Sequence, residues 1–395
     1  MKVLVVDDSA FMRKAISQMI ASDPGFEVVD TARNGKEAVE KAKALAPDLI
    51  TLDIEMPEMD GLTALRKIRI ECPDPRPAVL MCSSLTVEGS HEALKALRLG
   101  AADVIAKSHS TFAVDIHDMR DELLGKLRAI GQTRQRRASR SGAPGAGMPA
   151  RSSAAGAHLS GAEAALPRTI DVASRAIELV VIGSSTGGPP VLESLLTRLP
   201  ADLRPTVVVA QHMPVLFTRS ISERLAQQCK VQVIHGDKDM PVMPGCVYII
   251  AGGKHGHLVK APAGSPGAAR FALSIRDEPA SEPYKPSANV LFSTAAKLAG
   301  KHTLGVMLTG MGDDGKNGAV ELRDAGGVTA VQDADTCVVY GMPRAVVEAN
   351  AAHAMMTPDE LGNLLATLGG RPRGIAPQSR GEHSPLPGIP AERRH

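Results

Sequence analysis

Residues 179–196 read Leu179-Val180-Val181-Ile182-Gly183-Ser184-Ser185-Thr186-Gly187-Gly188-Pro189-Pro190-Val191-Leu192-Glu193-Ser194-Leu195-Leu196. A short apolar run, a Gly-rich turn and a segment opened by two prolines spell a buried strand, a tight turn and a helix. The turn carries Gly-x-Ser-x-Gly centred on Ser185, which sets a hydroxyl beside a helix N-terminus. Backbone N–H groups and the helix dipole favour developing negative charge there, as an oxyanion requires. Taken alone, the same residues also suit a plain tight turn or a phosphate-binding loop.

The strand–helix alternation continues on both sides of this stretch. Downstream, strands are expected at 206–210, 231–234, 247–251, 257–260, 271–275, 304–308 and 328–331. Helices are expected at 191–199, 218–228, 288–298, 316–325, 343–349 and 359–368. The crowded short runs between 231 and 277 predict an antiparallel excursion within a mainly parallel, doubly wound sheet. Upstream, residues 1–128 alternate five apolar runs (3–6, 28–32, 49–52, 78–82 and 103–106) with five helical patterns, the last near Ile116–Leu127. They predict a five-stranded parallel, doubly wound domain. Between the two α/β domains, residues 129–175 are rich in Arg, Ser, Ala, Gly and Pro and read as a flexible basic linker, with weak helicity near Ala154–Leu166. Residues 369–395 read as a disordered tail. The second domain is therefore 176–368.

The 395 residues suffice for several domains. A 44% hydrophobic share and a net charge of +2 are those of an ordinary soluble protein and create no demand for nucleic acid. The Arg134-Gln135-Arg136-Arg137 cluster reads as a solvated stretch of linker. No apolar run is long enough to span a bilayer, and the N-terminus lacks a signal-peptide core. The five cysteines never fall as Cys-x-x-Cys, which points to reduced thiols and a cytoplasmic protein.

Two constellations carry chemistry. In the first domain Asp7 and Asp8 end strand one, Asp53 ends strand three, Ser83 ends strand four and Lys107 ends strand five. Such strand ends converge on one edge of a doubly wound sheet. Three carboxylates gathered there call for a hard cation such as Mg²⁺, and a carboxylate beside it can accept a phosphoryl group. One such Asp could be only a helix cap; five matched positions are not explained that way.

In the second domain Ser185, His212 and Asp314 each follow an expected strand, so their turns gather on one edge as well. A serine needs a neutral imidazole to take its proton and a carboxylate to orient that imidazole. Asp313 competes with Asp314 for the acid role. The loop Gly310-Met311-Gly312-Asp313-Asp314-Gly315 could equally hold a cation or phosphate. Lys254-His255-Gly256-His257 reads as a surface turn, since a third metal ligand is lacking at a suitable spacing.

Residues 1–125 resemble a response-regulator receiver, a flavodoxin-like domain. The resemblance rests on Val5-Val6-Asp7-Asp8-Ser9, Leu52-Asp53-Ile54-Glu55-Met56-Pro57-Glu58-Met59-Asp60-Gly61, Met81-Cys82-Ser83-Ser84 and Val104-Ile105-Ala106-Lys107. It implies Asp53 as phosphoacceptor, Asp7, Asp8 and Asp53 as Mg²⁺ ligands, and Ser83 and Lys107 as partners of the phosphoryl group. The chain departs from the pattern at Ser108, usually proline, and at Val104, often aromatic.

The second domain resembles the catalytic domain of the chemotaxis protein-glutamate methylesterase (CheB) family. The similar stretches are Ile182–Gly188, Gln211-His212-Met213-Pro214, Lys285-Pro286-Ser287, Leu308–Gly315 and Val338–Ala345. This implies Ser185 as nucleophile, His212 as general base, Asp314 as orienting acid and the Met311 N–H as oxyanion donor. Ser184 stands where the family often has alanine. The implied activities are hydrolysis of glutamate γ-methyl esters on chemoreceptors and deamidation of receptor glutamines. No cofactor is implied for the esterase reaction. The implied phosphodonor is a chemotaxis histidine kinase, with the receiver packed over the Ser185 edge until phosphorylated. The expected protein is a monomer with no nucleic-acid partner and no membrane insertion. Two other readings are a phospho-dependent regulator whose second domain only binds a partner, and a transcription factor. The complete triad speaks against the first, and the lack of a helix-turn-helix-like basic segment against the second.

Overall fold

The computed structural model describes residues 1–84, 86–107, 113–141, 166–265 and 269–370. The first domain runs β1 (Lys2–Val6), α1 (Ala10–Ala21), β2 (Glu27–Ala32), α2 (Gly35–Leu45), β3 (Leu49–Asp53), α3 (Gly61–Glu71), β4 (Ala78–Ser84), α4 (Val87–Arg98), β5 (Asp103–Lys107) and α5 (Ala113–Ser141). All five strands are parallel, in the order β2-β1-β3-β4-β5. The helix starts are written in the sequence: Ser9, Asn34, Asp60 and Thr86 each accept the N–H three residues on.

α5 departs from expectation. It continues past 128 into the stretch read as linker because Ile130 and Thr133 are buried. Arg134 donates to the carbonyl of Arg76, and Arg137 to those of Asp335 and Cys337 in the second domain. Arginines read as solvated linker therefore tie the helix down. Residues 166–177 are likewise packed on the second domain: the Pro167 carbonyl accepts the Met355 N–H, and Val172 is buried. The expected helicity at 154–166 (save Leu166), the Ser108 departure and the tail from 371 lie outside the described residues.

The second domain runs β6 (Leu179–Ser184), α6 (Gly188–Leu196), β7 (Thr206–Gln211), α7 (Val215–Gln228), β8 (Gln232–Gly236), β9 (Met240–Val242), β10 (Cys246–Ile250), β11 (His255–Lys260), β12 (Phe271–Arg276), α8 (Ala288–Ala299), β13 (Thr303–Met307), α9 (Lys316–Asp324), β14 (Val328–Gln332), α10 (Met342–Glu348), β15 (Ala354–Met356) and α11 (Pro358–Ala366). Its main sheet is wholly parallel, in the order β15-β14-β13-β6-β7-β10-β8. The antiparallel excursion is a separate sheet, β11-β12-β9. Central strands are apolar on both faces, as double winding requires, with β6, β7 and β13 buried throughout.

The chain enters at β6, builds one side through β7, β8 and β10, then returns to build the other from β13. The crevice at such a reversal is where doubly wound sheets bind ligands. The receiver lies against this domain. α4 packs on α6 and α7, and a continuous apolar cluster takes in Leu94, Leu97, Leu192, Ile221 and Leu225. Beside it Glu193 accepts from Arg224 at 2.8 Å and lies 3.8 Å from Arg98.

Candidate active site

Ser185 sits in the turn after β6, His212 in the turn after β7 and Asp314 in the loop after β13, so three adjacent strands deliver the three side chains. The turns are cross-braced. Ser185 N–H donates to the Thr309 carbonyl at 3.1 Å, and His212 N–H to the Ser184 carbonyl at 3.0 Å. The Gln211 amide donates to the Ser185 carbonyl at 3.0 Å. Gly187 turns the chain at φ +77°, in the left-handed region. At Gly310 a Cβ would stand 2.9 Å from the Ser185 Cβ, so only glycine lets the two loops approach.

His212 Nε2 lies 2.7 Å from Asp314 Oδ2, and its ring stacks on Tyr284 with centroids 4.6 Å apart. Asp314 is buried at the start of α8. Its Oδ1 accepts from the Ser287 hydroxyl at 2.9 Å and the Asn289 N–H at 2.9 Å, and its Oδ2 also accepts from the Ala288 N–H at 2.6 Å. Burial pushes the Asp314 carboxyl up, but its bond to His212 and the helix N–H groups outweigh burial and hold it below the ordinary value. An ionised Asp314 makes His212 Nε2 the donor and leaves Nδ1 the basic nitrogen. That Nδ1 is buried and has no hydrogen-bond partner.

The two adjacent acids differ in position. Asp313 is exposed and paired with Lys316 at 2.7 Å, whereas Asp314 is buried against His212. Ser184 is fully buried, with its side chain enclosed near Gly188 and Gln211, and Ser185 retains 9% exposure. Met311, beyond β13, turns its thioether toward Gly125 of α5 in the receiver. Thr186, next to Ser185, donates its hydroxyl to Asp103 Oδ2 of the receiver at 2.6 Å. Asp103 is also paired with Lys126 of α5 at 2.9 Å. The receiver therefore touches both turns that flank Ser185.

Tyr284, Ser287 and Asn289 were not singled out as site residues by sequence. Lys285-Pro286-Ser287 was legible only as a similar stretch, without a role. The reading of 254–257 as a surface turn is corrected. His255 opens β11 and is fully buried, because its ring lies under the start of α8.

In the receiver, Asp7, Asp8 and Asp53 bring carboxylate oxygens within 4.8 Å of one another. Lys107 Nζ bridges Asp7 at 2.8 Å and Asp53 at 2.7 Å. Burial, only partly offset by Lys107, pushes the Asp53 carboxyl up to about 6. An all-oxygen donor set whose charges one lysine cannot fully balance fits a hard divalent cation. Ser83 lies on the same edge, and its hydroxyl donates to the Gly89 carbonyl in the first turn of α4 at 2.9 Å.

Two family patterns match this chain: CheB methylesterase over residues 180–365 and the response regulator receiver domain over residues 3–114. The protein-glutamate methylesterase/protein-glutamine glutaminase 1 of Oleidesulfovibrio alaskensis is 45% identical over 92% of this chain and 98% of its own length. The corresponding protein 3 of Pseudomonas syringae is 39% identical over 92% and 98%. The crystal structure of the Thermotoga maritima CheB methylesterase catalytic domain is 34% identical, covering 49% of this chain and 98% of that one, with a TM-score of 0.45. No helix among the described residues is long and apolar enough to cross a membrane.

Proposed function

The chain belongs to the CheB methylesterase family, and from that premise we propose that Ser185, His212 and Asp314 are the catalytic triad of a receiver-controlled esterase. The protein is a chemotaxis methylesterase and glutaminase under response-regulator control. It hydrolyses glutamate γ-methyl esters on chemoreceptors and deamidates receptor glutamines. The observation that carries the triad is the delivery of all three side chains by β6, β7 and β13, with Asp314 2.7 Å from His212.

His212 Nδ1 takes the Ser185 proton as the oxygen attacks the γ-carbonyl carbon. The imidazolium is balanced by Asp314, and the Met311 N–H faces the developing oxyanion. His212 returns the proton to the departing methanol or ammonia. It then takes one from the water that cleaves the acyl-enzyme, restoring Ser185. One triad serves both reactions because both pass through the same side-chain carbonyl.

Asp53 is the phosphoacceptor, and Asp7, Asp8 and Asp53 are the residues that hold Mg²⁺. The cation's contribution is to neutralise charge on the transferring phosphoryl group. Lys107 and Ser83 pair with the phosphoryl oxygens once Asp53 is modified. Ser83 then exchanges the Gly89 carbonyl for the phosphoryl group, which loosens the first turn of α4. Because α4 packs on α6 and α7, this weakens the inhibitory contact. The phosphodonor is a chemotaxis histidine kinase, and the protein is a cytoplasmic monomer. The receiver with the whole of α5 spans 1–141 and the esterase with its packed lead-in 166–368, joined by the residues between them.

The test is methanol release from methylated chemoreceptor membranes, with and without a small phosphodonor plus Mg²⁺. Release that needs Ser185 and rises with phosphodonor only when Asp53 is present supports the reading. Release that persists in Ser185→Ala refutes the triad.

A further inference from the structure

His255 lies outside the triad, yet it is fully buried at the first position of β11, in the small antiparallel sheet. Its Nδ1 accepts the backbone N–H of Ser287 at 3.3 Å. Ser287 is the N-cap of α8 and is itself fully buried. In a capping box the N-cap N–H is satisfied by a Glu or Gln three residues on. Here that position is Val290, which offers no side-chain acceptor, and His255 supplies it from another sheet. The same helix start gives Asp314 three of its four donors, the Ser287 hydroxyl and the Ala288 and Asn289 N–H groups.

We propose that His255 is a positioning residue: by fixing the backbone at Ser287 it holds the helix start that aims Asp314, and through Asp314 it orients His212. This rests on the triad reading above. Without His255 a buried donor is stranded, and the backbone at 287 must rotate to find another partner. The Asp314 carboxylate would move with it, and the imidazole next.

The role requires His255 to be neutral, with its proton on Nε2. Arg276 is the register partner of His255 on β12, with its Nε on the Ser274 hydroxyl; Lys285 and His257 lie near the ring and disfavour a further positive charge. Glu282 and Asp314 pull the other way. Burial leads, and the ring is held below the ordinary histidine value. When His255 is protonated, Nδ1–H faces Ser287 N–H, donor against donor. Acid therefore switches off the support of Asp314.

The experiment uses the full chain, activated by phosphodonor and Mg²⁺, with methylated receptor membranes as substrate. His255→Leu is expected to lower kcat by about ten- to a hundred-fold, as loss of a supporting hydrogen-bond partner commonly does, with KM within about twofold. His255→Asn sets an amide oxygen where Nδ1 stands and is expected to recover kcat to within about threefold, since the acceptor is restored. The acid limb is measured on unstimulated activity in an Asp53→Asn background, so that residue 53 does not titrate. There the acid limb is expected to be steeper when His255 is present than in His255→Asn.

A folded His255→Leu with unchanged kcat overturns the inference. So does a His255→Asn as slow as the leucine variant, or one whose acid limb is as steep as with His255 present. If His255→Leu fails to fold, the His255→Asn limb decides alone. Ser185→Ala run alongside separates the two levels. Methanol release by Ser185→Ala refutes the triad, whereas an inert Ser185→Ala beside a fully active His255→Leu refutes only the role of His255.

Discussion

Replacing Thr186 by Val is the sharpest probe of the contact between receiver and esterase. The hydroxyl donates to Asp103 at 2.6 Å across a buried interface. A hydrogen bond to an ionised group contributes about 1.5–3 kcal/mol. Asp103 keeps Lys126 at 2.9 Å after the change, which places the loss at the lower end of that range. A loss of ~1.5 kcal/mol moves the balance between closed and open forms about tenfold. The unphosphorylated protein should therefore release methanol about ten times faster, provided the closed form still predominates. Thr186 adjoins Ser185, so the quantity to read is the ratio of unstimulated to phosphodonor-stimulated rate, in which any direct effect on chemistry cancels. The same rise should appear in the Asp53→Asn background, where phosphorylation plays no part. A ratio unchanged from the parent protein would refute the interface as the inhibitory element.

Other outcomes follow from the same geometry. Ser185→Ala should abolish methanol release with the fold intact, while Ser184→Ala should release it normally; circular dichroism alongside the assay checks both. A fragment beginning before Leu166, which keeps the Pro167–Met355 bond, should exceed the unphosphorylated full chain in activity, and equal rates would reject autoinhibition. Asp53 holds its proton to about pH 6, so its own contribution to receiver stability is full below the ordinary aspartate value and is lost as pH rises through 6. Asp53→Asn should then raise the melting temperature at neutral pH, by an amount that vanishes in acid. Mg²⁺ affinity, read by calorimetry, should fall as pH drops below 6 because the cation must displace that proton.

The placement of the site was legible because chemistry in a doubly wound sheet collects where apolar runs stop. Asp7 and Asp53 close such runs, Ser185 and His212 stand in the turns just after them, and Asp314 lies further along the loop after another. What supports them was not legible. Tyr284 stacks on His212 from a loop and His255 accepts the Ser287 N–H from a different sheet, through contacts that leave no spacing in the chain. β9 contains Pro241 and β15 has only three residues, so neither shows periodicity; both exist because longer neighbours pair with them. The length of α5 was hidden by its composition: Arg134 and Arg137 look like solvated linker until the carbonyls they bind are in place.

Met311 puts a proposed oxyanion donor and a receiver contact on one residue. Substrate and receiver therefore compete for the same edge, and thermodynamic linkage makes the competition reciprocal. If phosphoryl transfer to Asp53 raises the affinity for a methylated receptor by some factor, a bound receptor favours the phosphorylated receiver by that same factor. Substrate is then an effector of its own enzyme's modification. Methylated receptors would therefore select the phosphorylated form from a mixture, and demethylation would itself release it.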